Sequence, residues 1–166
     1  MNVSSSLLAM LFVQGSAVAF VLLSSTSLPV VMASHFAAGG AADGFMPRSG
    51  YLALMIGLIV GLPLLLALLQ GLLRLLPISL INLPHRDYWL APERREETLA
   101  FVAGHGNWFG LLLAGFLALV HGLVVRAHRQ QPPRLEEAWL VAALVVLMGA
   151  LVLWIALLVR RFARRP

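Results

Sequence analysis

The stretch YLALMIGLIVGLPLLLALLQGLL, residues 51–73, is 23 residues long and contains no charged side chain. A helix of this length is about 34 Å long, which is enough to cross the ~30 Å of hydrocarbon in a bilayer. Pro63 lies near its middle, removes one backbone donor and predicts a kink. The stretch therefore predicts a transmembrane helix.

Three other apolar runs have the same character. Hydrophobic residues make up 60% of the 166-residue chain and charged residues only 11%, a balance that excludes an ordinary soluble domain. We predict four spans, at about 7–28, 51–73, 101–125 and 138–159. The chain is thus expected to be an all-α integral membrane protein, with four transmembrane helices and a compact extracytoplasmic loop between helices 1 and 2.

The polar segments divide the chain into three parts. We expect a two-helix membrane unit at 1–75, a cytoplasmic connecting loop with the start of helix 3 at 76–100, and a second two-helix unit with a basic tail at 101–166. Pro92 followed by the carboxylate of Glu93 is typical of a helix N-terminus, so helix 3 is expected to begin near Pro92.

Arginine supplies all twelve basic residues, and it is distributed unevenly between the two predicted sides of the membrane. One side has eight: Arg74, Arg86, Arg94, Arg95, Arg160, Arg161, Arg164 and Arg165. The other side has four: Arg48, Arg126, Arg129 and Arg134. Because basic loops stay in the cytoplasm, both termini are predicted to be cytoplasmic and the loop between the first two spans external. The arginines flank apolar runs, which favours lipid head groups over nucleic acid as their partners.

Small residues recur at four-residue spacing in two of the spans. Such rows let two helix backbones approach closely in lipid. We predict helix packing, within the bundle or between copies, at Gly57, Gly61, Gly106 and Gly110.

Histidine is the only ionisable residue type inside the predicted spans, at His105 and His121. The first expectation for each is a neutral imidazole hydrogen-bonded to a neighbouring helix, with proton or metal handling as the alternative. His35, Asp43, His121 and His128 would share the outer side and are the candidate metal ligands. The lack of close ligand spacing, of cysteine and of catalytic motifs favours a protein without a cofactor, a bound metal or enzymatic activity.

The segment LPVVMASHFAAGGAADGFMPR, residues 28–48, connects the first two spans. Asp43-Gly44 predicts a turn or hairpin, because glycine tolerates positive φ and Asp-Gly favours tight turns. A structural cap and a recognition site are both compatible with this pattern. The candidate recognition residues are His35, Phe36, Asp43, Gly44, Phe45 and Arg48.

The same segment carries a family resemblance. Its pattern, LP-x5-HF-x-x-x-G-x-x-DGF-x-x-R, is similar to that of the bacterial membrane family known as domain of unknown function 1648, and the resemblance covers about residues 7–75. That domain also forms the first part of immunity proteins similar to the one that protects sporulation-delaying bacilli from their own toxin. The resemblance implies a location in the bacterial inner membrane.

These patterns favour a non-enzymatic interaction, immunity or signalling module. Its outer loop would face a ligand or a partner, and the partner would be another membrane protein or a second copy of the chain. The alternative is a small transport or channel component that works as an oligomer, in which Pro63, Gly57 and Gly61 provide a helix break near mid-membrane.

The predicted orientation can be tested with reporter fusions. Alkaline phosphatase, which is active only outside the cytoplasm, is expected to be active when inserted after Gly40 and inactive when fused after Pro166, because the arginine-rich side stays in the cytoplasm. The measurement is phosphatase activity in intact cells. The opposite pattern of activities would contradict the orientation.

Overall fold

The computed structural model describes residues 3–163. In chain order its main elements are α1 (Val3–Ser24), β1 (Val31–Phe36), β2 (Ala42–Pro47), α2 (Arg48–Ile56), a π-helical segment (Gly57–Gly61), α3 (Leu62–Leu72), α4 (Arg86–Trp89), α5 (Arg95–Ala127) and α6 (Glu137–Ala163). Arg164 and Arg165 of the predicted basic tail lie outside the described residues.

Within the described residues, four continuous helical stretches are long and apolar enough to cross a membrane. They are Val3–Ser27, Arg48–Leu75, Arg95–Ala127 and Glu137–Ala163. Each of the four predicted spans thus corresponds to one of these helices, although each helix begins earlier than its apolar run. The expectation of an all-α chain is wrong in one place, because β1 and β2 pair as an antiparallel hairpin between the first two spans.

The start of α5 also differs from the prediction. The helix begins at Arg95 rather than near Pro92. The N–H groups of Arg94 and Arg95 both donate to the carbonyl of Ala91 at 2.9 Å, in a turn that contains Pro92 and precedes the helix. The proline therefore belongs to the turn that leads into the helix.

Helix α1 packs along α5, and the two helices run in the same direction. Asn107 Nδ2 of α5 donates to Ser6 Oγ near the start of α1 at 3.1 Å, and His121 near the end of α5 contacts Ser24 at the end of α1. The buried residues of α1 are spaced three or four apart, as in a coiled-coil seam. They are Ser6, Met10, Gln14, Ala17 and Val21.

Glycines of α5 make close packing possible against α1 and against the second span. A Cβ added to Gly110 would lie 2.6 Å from Met10 Sδ and 3.0 Å from Pro63 Cβ, and one added to Gly106 would overlap the Gln70 side chain. These two glycines therefore pack within the bundle.

Gly57 and Gly61 behave differently from the glycines of α5. An added Cβ at either position would meet no described atom within 4 Å. The packing predicted for this pair is not formed within the described chain, because both glycines face away from the other helices.

The π-helical segment lies immediately before Pro63 in the second span. Because Pro63 has no N–H, the carbonyl of Ile59, four residues earlier, loses its α-helical donor. The amide Nε2 of Gln14 lies 3.0 Å from Ile59 O and 3.2 Å from Val60 O and donates to both. A side chain of α1 thus bonds two backbone carbonyls beside Pro63, the position of the predicted kink, where a bilayer interior would offer no water as a partner.

Helix α6 is the most peripheral of the spans. Only 6% of its membrane-spanning window is buried, compared with 28% for the first span. It is fixed to α5 by two reciprocal hydrogen bonds of 2.9 Å, from His105 Nε2 to Trp154 O and from Trp154 Nε1 to His105 O, and the two rings stack. The core of the bundle is therefore formed by the first three spans.

Enlarging Gly110 is expected to destabilise this core. Gly110→Leu places a side chain into Met10 and Pro63, and overpacking of this kind costs about 1–3 kcal/mol, or a decrease of roughly 3–10 °C in the melting temperature. Gly57→Leu is the matched control, because that position is open. Thermal unfolding of both purified variants in the same detergent checks the prediction, and equal melting temperatures would contradict it.

Candidate functional site

The candidate site is the β-hairpin between the first two spans. Its turn is formed by residues 37–41, where Ala37 N donates to Ala41 O at 2.8 Å and Gly40 N donates to Ala37 O at 2.9 Å. Gly39 and Gly40 have φ values of 86° and 79°, which favour glycine. The prediction of a turn at Asp43-Gly44 is wrong, because both residues lie within β2.

The turn of the hairpin is bonded to the loop between α5 and α6 and to the first residue of α6. Leu135 N donates to Gly40 O at 2.8 Å, and Arg134 Nε donates to Gly39 O at 3.1 Å. The N–H of Gly39 donates to Glu137 Oε1 at 2.5 Å. These bonds connect segments almost a hundred residues apart and fix the tip of the hairpin.

The base of the hairpin is also fixed. Arg48 Nη1 donates to the carbonyl of Leu28 at 2.7 Å, just after the first span ends. Met32 is fully buried in the bundle core, and Phe36 and Met46 pack against the same cluster. Arg48 and Phe36, both predicted recognition residues, are therefore engaged in holding the hairpin onto the helices.

The opposite face of the hairpin is open. His35 Nδ1 lies 2.5 Å from Asp43 Oδ1 across the two strands, and these side chains remain 73% and 47% exposed. Phe45 and Val31 are 60% and 59% exposed. A polar pair that can both donate and accept hydrogen bonds therefore adjoins exposed apolar surface.

Gly44 permits the approach of His35 across the hairpin. It pairs with His35 in the strand register, and a Cβ added to Gly44 would lie 2.7 Å from His35 Cβ. A larger residue would push the imidazole away from Asp43. Gly44, one of the predicted recognition residues, thus helps to place the two exposed side chains.

His128 is fixed beneath the hairpin. Its Nδ1 donates to Val124 O at 2.8 Å, and its Nε2 accepts from Ala33 N–H at 3.0 Å. These partners require the neutral ring with the proton on Nδ1. His128 therefore connects α5 to β1 and has no ring nitrogen left for a metal.

His121 is fully buried between three helices. Ser24 Oγ donates to Phe20 O at 2.6 Å, so it accepts from His121 Nε2 at 2.8 Å, and His121 Nδ1 accepts from the Tyr51 hydroxyl at 3.0 Å. The result is one continuous hydrogen-bonded chain from the second span through α5 to α1. The expectation of a neutral imidazole bonded to neighbouring helices is met here.

The four predicted metal ligands do not converge. His35 pairs with Asp43 on the surface, His121 bonds Tyr51 and Ser24 in the core, and His128 bonds two backbone groups. Among residues 3–163, no three His, Asp or Glu side chains are grouped so that they could bind a metal ion. The geometry of the hairpin suits non-covalent recognition through its exposed face.

Removal of the Tyr51 hydroxyl is expected to destabilise the helix bundle. Tyr51→Phe leaves His121 Nδ1 without a donor in the core, which costs about 1–3 kcal/mol. Tyr88→Phe is the matched control, because Tyr88 contributes its ring to a cation–π contact with Arg94 that phenylalanine retains. Thermal unfolding in detergent is the measurement, and a Tyr51→Phe variant as stable as Tyr88→Phe would contradict the role assigned to this chain of bonds.

Comparison of the chain with protein-family models, with curated proteins and with solved structures found no match. The similarity of residues 28–48 to domain of unknown function 1648 therefore stays a prediction. Information about function therefore comes from the geometry of the hairpin and from the distribution of the arginines.

Proposed function

We propose that this protein is a non-enzymatic interaction module of the bacterial inner membrane, of the immunity or signalling type. The hairpin lies outside the cytoplasm and binds a partner through the face that carries His35, Asp43 and Phe45. The partner is another membrane protein or a second copy of the chain.

The observation that supports this function best is the contrast between the two faces of the hairpin. One face is bonded to the helices and to the loop before α6, so the hairpin is held in one position. The other face presents His35 and Asp43 beside the exposed ring of Phe45. A fixed surface with an apolar anchor loses little conformational entropy on binding, which is the property of a recognition site.

The arginine distribution supports the proposed orientation. The hairpin end of the bundle carries four arginines, and Arg48 and Arg134 among them are engaged with backbone carbonyls. The other predicted side has eight arginines, two of which lie outside the described residues. Placing the richer side in the cytoplasm puts the hairpin outside.

The transport alternative depends on the helix break in the second span. The carbonyls of Ile59 and Val60 at this break are bonded to Gln14 of the neighbouring helix. Broken helices that bind substrates or ions use such carbonyls as ligands. Because Gln14 already occupies them, the break favours a packing role, and the interaction module is preferred.

Site-directed photo-crosslinking tests the proposed function. A photoreactive phenylalanine analogue at Phe45 in intact cells is expected to give a discrete cross-linked product, because the ring lies on the binding face. The same analogue at Phe12, which is 75% exposed on α1, is the matched control and should give only lipid or diffuse products. Mass spectrometry of the product distinguishes a second copy from a different protein.

Charge substitutions make this test specific. Asp43→Asn, introduced together with the analogue at Phe45, is expected to reduce the cross-linked product several-fold, because the pair with His35 is lost. Asp87→Asn changes an exposed carboxylate near the opposite end of the bundle and should leave the yield unchanged. No discrete product from Phe45, or equal loss in the two variants, would contradict the proposed function.

A further inference from the structure

A groove in the side of the bundle is separate from the hairpin site. It has a volume of about 550 Å³ and is bounded by α5, α6 and one residue of α1, Val13. Its walls are apolar throughout their length, and they include Gly115 of α5 and Ala142 of α6. Arg126 and Trp139 lie at one end. The groove exists because α6 packs on α5 and leaves a gap beside α1.

The shape of the groove decides which occupant fits. Its lining residues run along α5 from Leu111 to Arg126, a length of about 22 Å at 1.5 Å per residue. Dividing the volume by this length gives a mean cross-section of about 25 Å², which is enough for a single hydrocarbon chain to lie along the groove.

The groove is longer than one leaflet of the hydrocarbon core is deep. Half of the ~30 Å hydrocarbon core is about 15 Å, so an acyl chain that entered at the head-group level would be accommodated over its whole depth. Arg126 is close to the last residue of α5, and Trp139 is close to the first residue of α6. A tryptophan and an arginine at helix ends are typical of the head-group region.

Arg126 gives this end of the groove hydrogen-bond donors for an anionic head group, although Glu136 already pairs with part of its guanidinium group. Arg126 uses Nε and Nη2 to bind Glu136 at 2.9 and 3.1 Å, and its side chain is still 51% exposed. The remaining edge of the guanidinium can donate to a phosphate. The groove thus combines an apolar channel with a phosphate-binding group at its mouth.

We propose that this groove binds one acyl chain of an anionic phospholipid, with the lipid phosphate against Arg126. The site requires that the helices cross a bilayer, and it shares no residue with the hairpin face proposed above. Lipid binding and partner binding can therefore fail independently.

Native mass spectrometry of the full chain tests the site. Protein equilibrated with palmitoyl-oleoyl phosphatidylglycerol and phosphatidylethanolamine in equal amounts is expected to retain one phospholipid per chain, with phosphatidylglycerol preferred. Gly115→Leu fills the groove from α5 and should abolish this retention. An added Cβ at Gly115 meets no atom within 4 Å, so the larger side chain enters the groove without displacing the core.

Two further variants serve as controls for the groove. Gly149→Leu is the matched control, because Gly149 is an equally open helix glycine that does not line the groove, and it should retain lipid like the parent protein. Ala142→Leu fills the groove from α6 and repeats the test should Gly115→Leu fail to fold. Retention of lipid by the folded groove-filling variants, or its absence from the parent protein, would overturn the proposal.

The role of the Arg126 charge is tested by a separate measurement. Arg126→Gln is expected to reduce the preference for phosphatidylglycerol about fivefold, the effect of one arginine near an anionic head group. Arg129→Gln removes the same charge from a nearby residue outside the groove and should keep the preference. An unchanged preference in Arg126→Gln, or an equal loss in both variants, would exclude Arg126 as the phosphate ligand.

Discussion

The close packing of α1 against α5 holds the other parts of this protein in place. Gly110 allows Met10 and Pro63 to approach α5 closely at the centre of the bundle, and Gln14 bonds the carbonyl of Ile59, which Pro63 leaves without its α-helical donor, as well as that of Val60. In a bilayer these groups have no water as an alternative partner. Any shift of α1 along α5 would separate these contacts at once, so the seam fixes the positions of the first three spans.

The same seam positions the hairpin. Where α1 and α5 end, the chain of hydrogen bonds through Tyr51, His121 and Ser24 ties both helices to the start of the second span. Both strands therefore emerge from a fixed base, and the bonds to the loop before α6 fix the tip. The division between a bonded face and an exposed face follows from this double attachment.

The looser attachment of α6 has a different consequence. The stacked pair of His105 and Trp154 holds this helix to α5 near one end, and Arg126 and Glu136 connect the two helices near the other. Between these contacts the helix leaves the groove open to the side. A three-span core thus holds the hairpin in place, while the peripheral helix leaves the groove in which we propose that a hydrocarbon chain binds.

The sequence alone determined the four spans, because burial in lipid is a property of each apolar run by itself. It also predicted a hairpin in residues 28–48, but it placed the turn at Asp43-Gly44, since Gly39-Gly40 and Asp43-Gly44 have similar turn preferences. The register of β1 with β2 decides between them, and that register depends on burying Met32 against the helices. Tertiary structure alone decided that Gly110 packs against other helices and that Gly57 does not. It also decided that the histidines lie apart, and that the side chains of Gln14, Tyr51 and Glu137 form hydrogen bonds with other parts of the chain. Each of these outcomes depends on which helices pack against each other. Local sequence does not show that pairing, because the residues that meet are far apart in the chain.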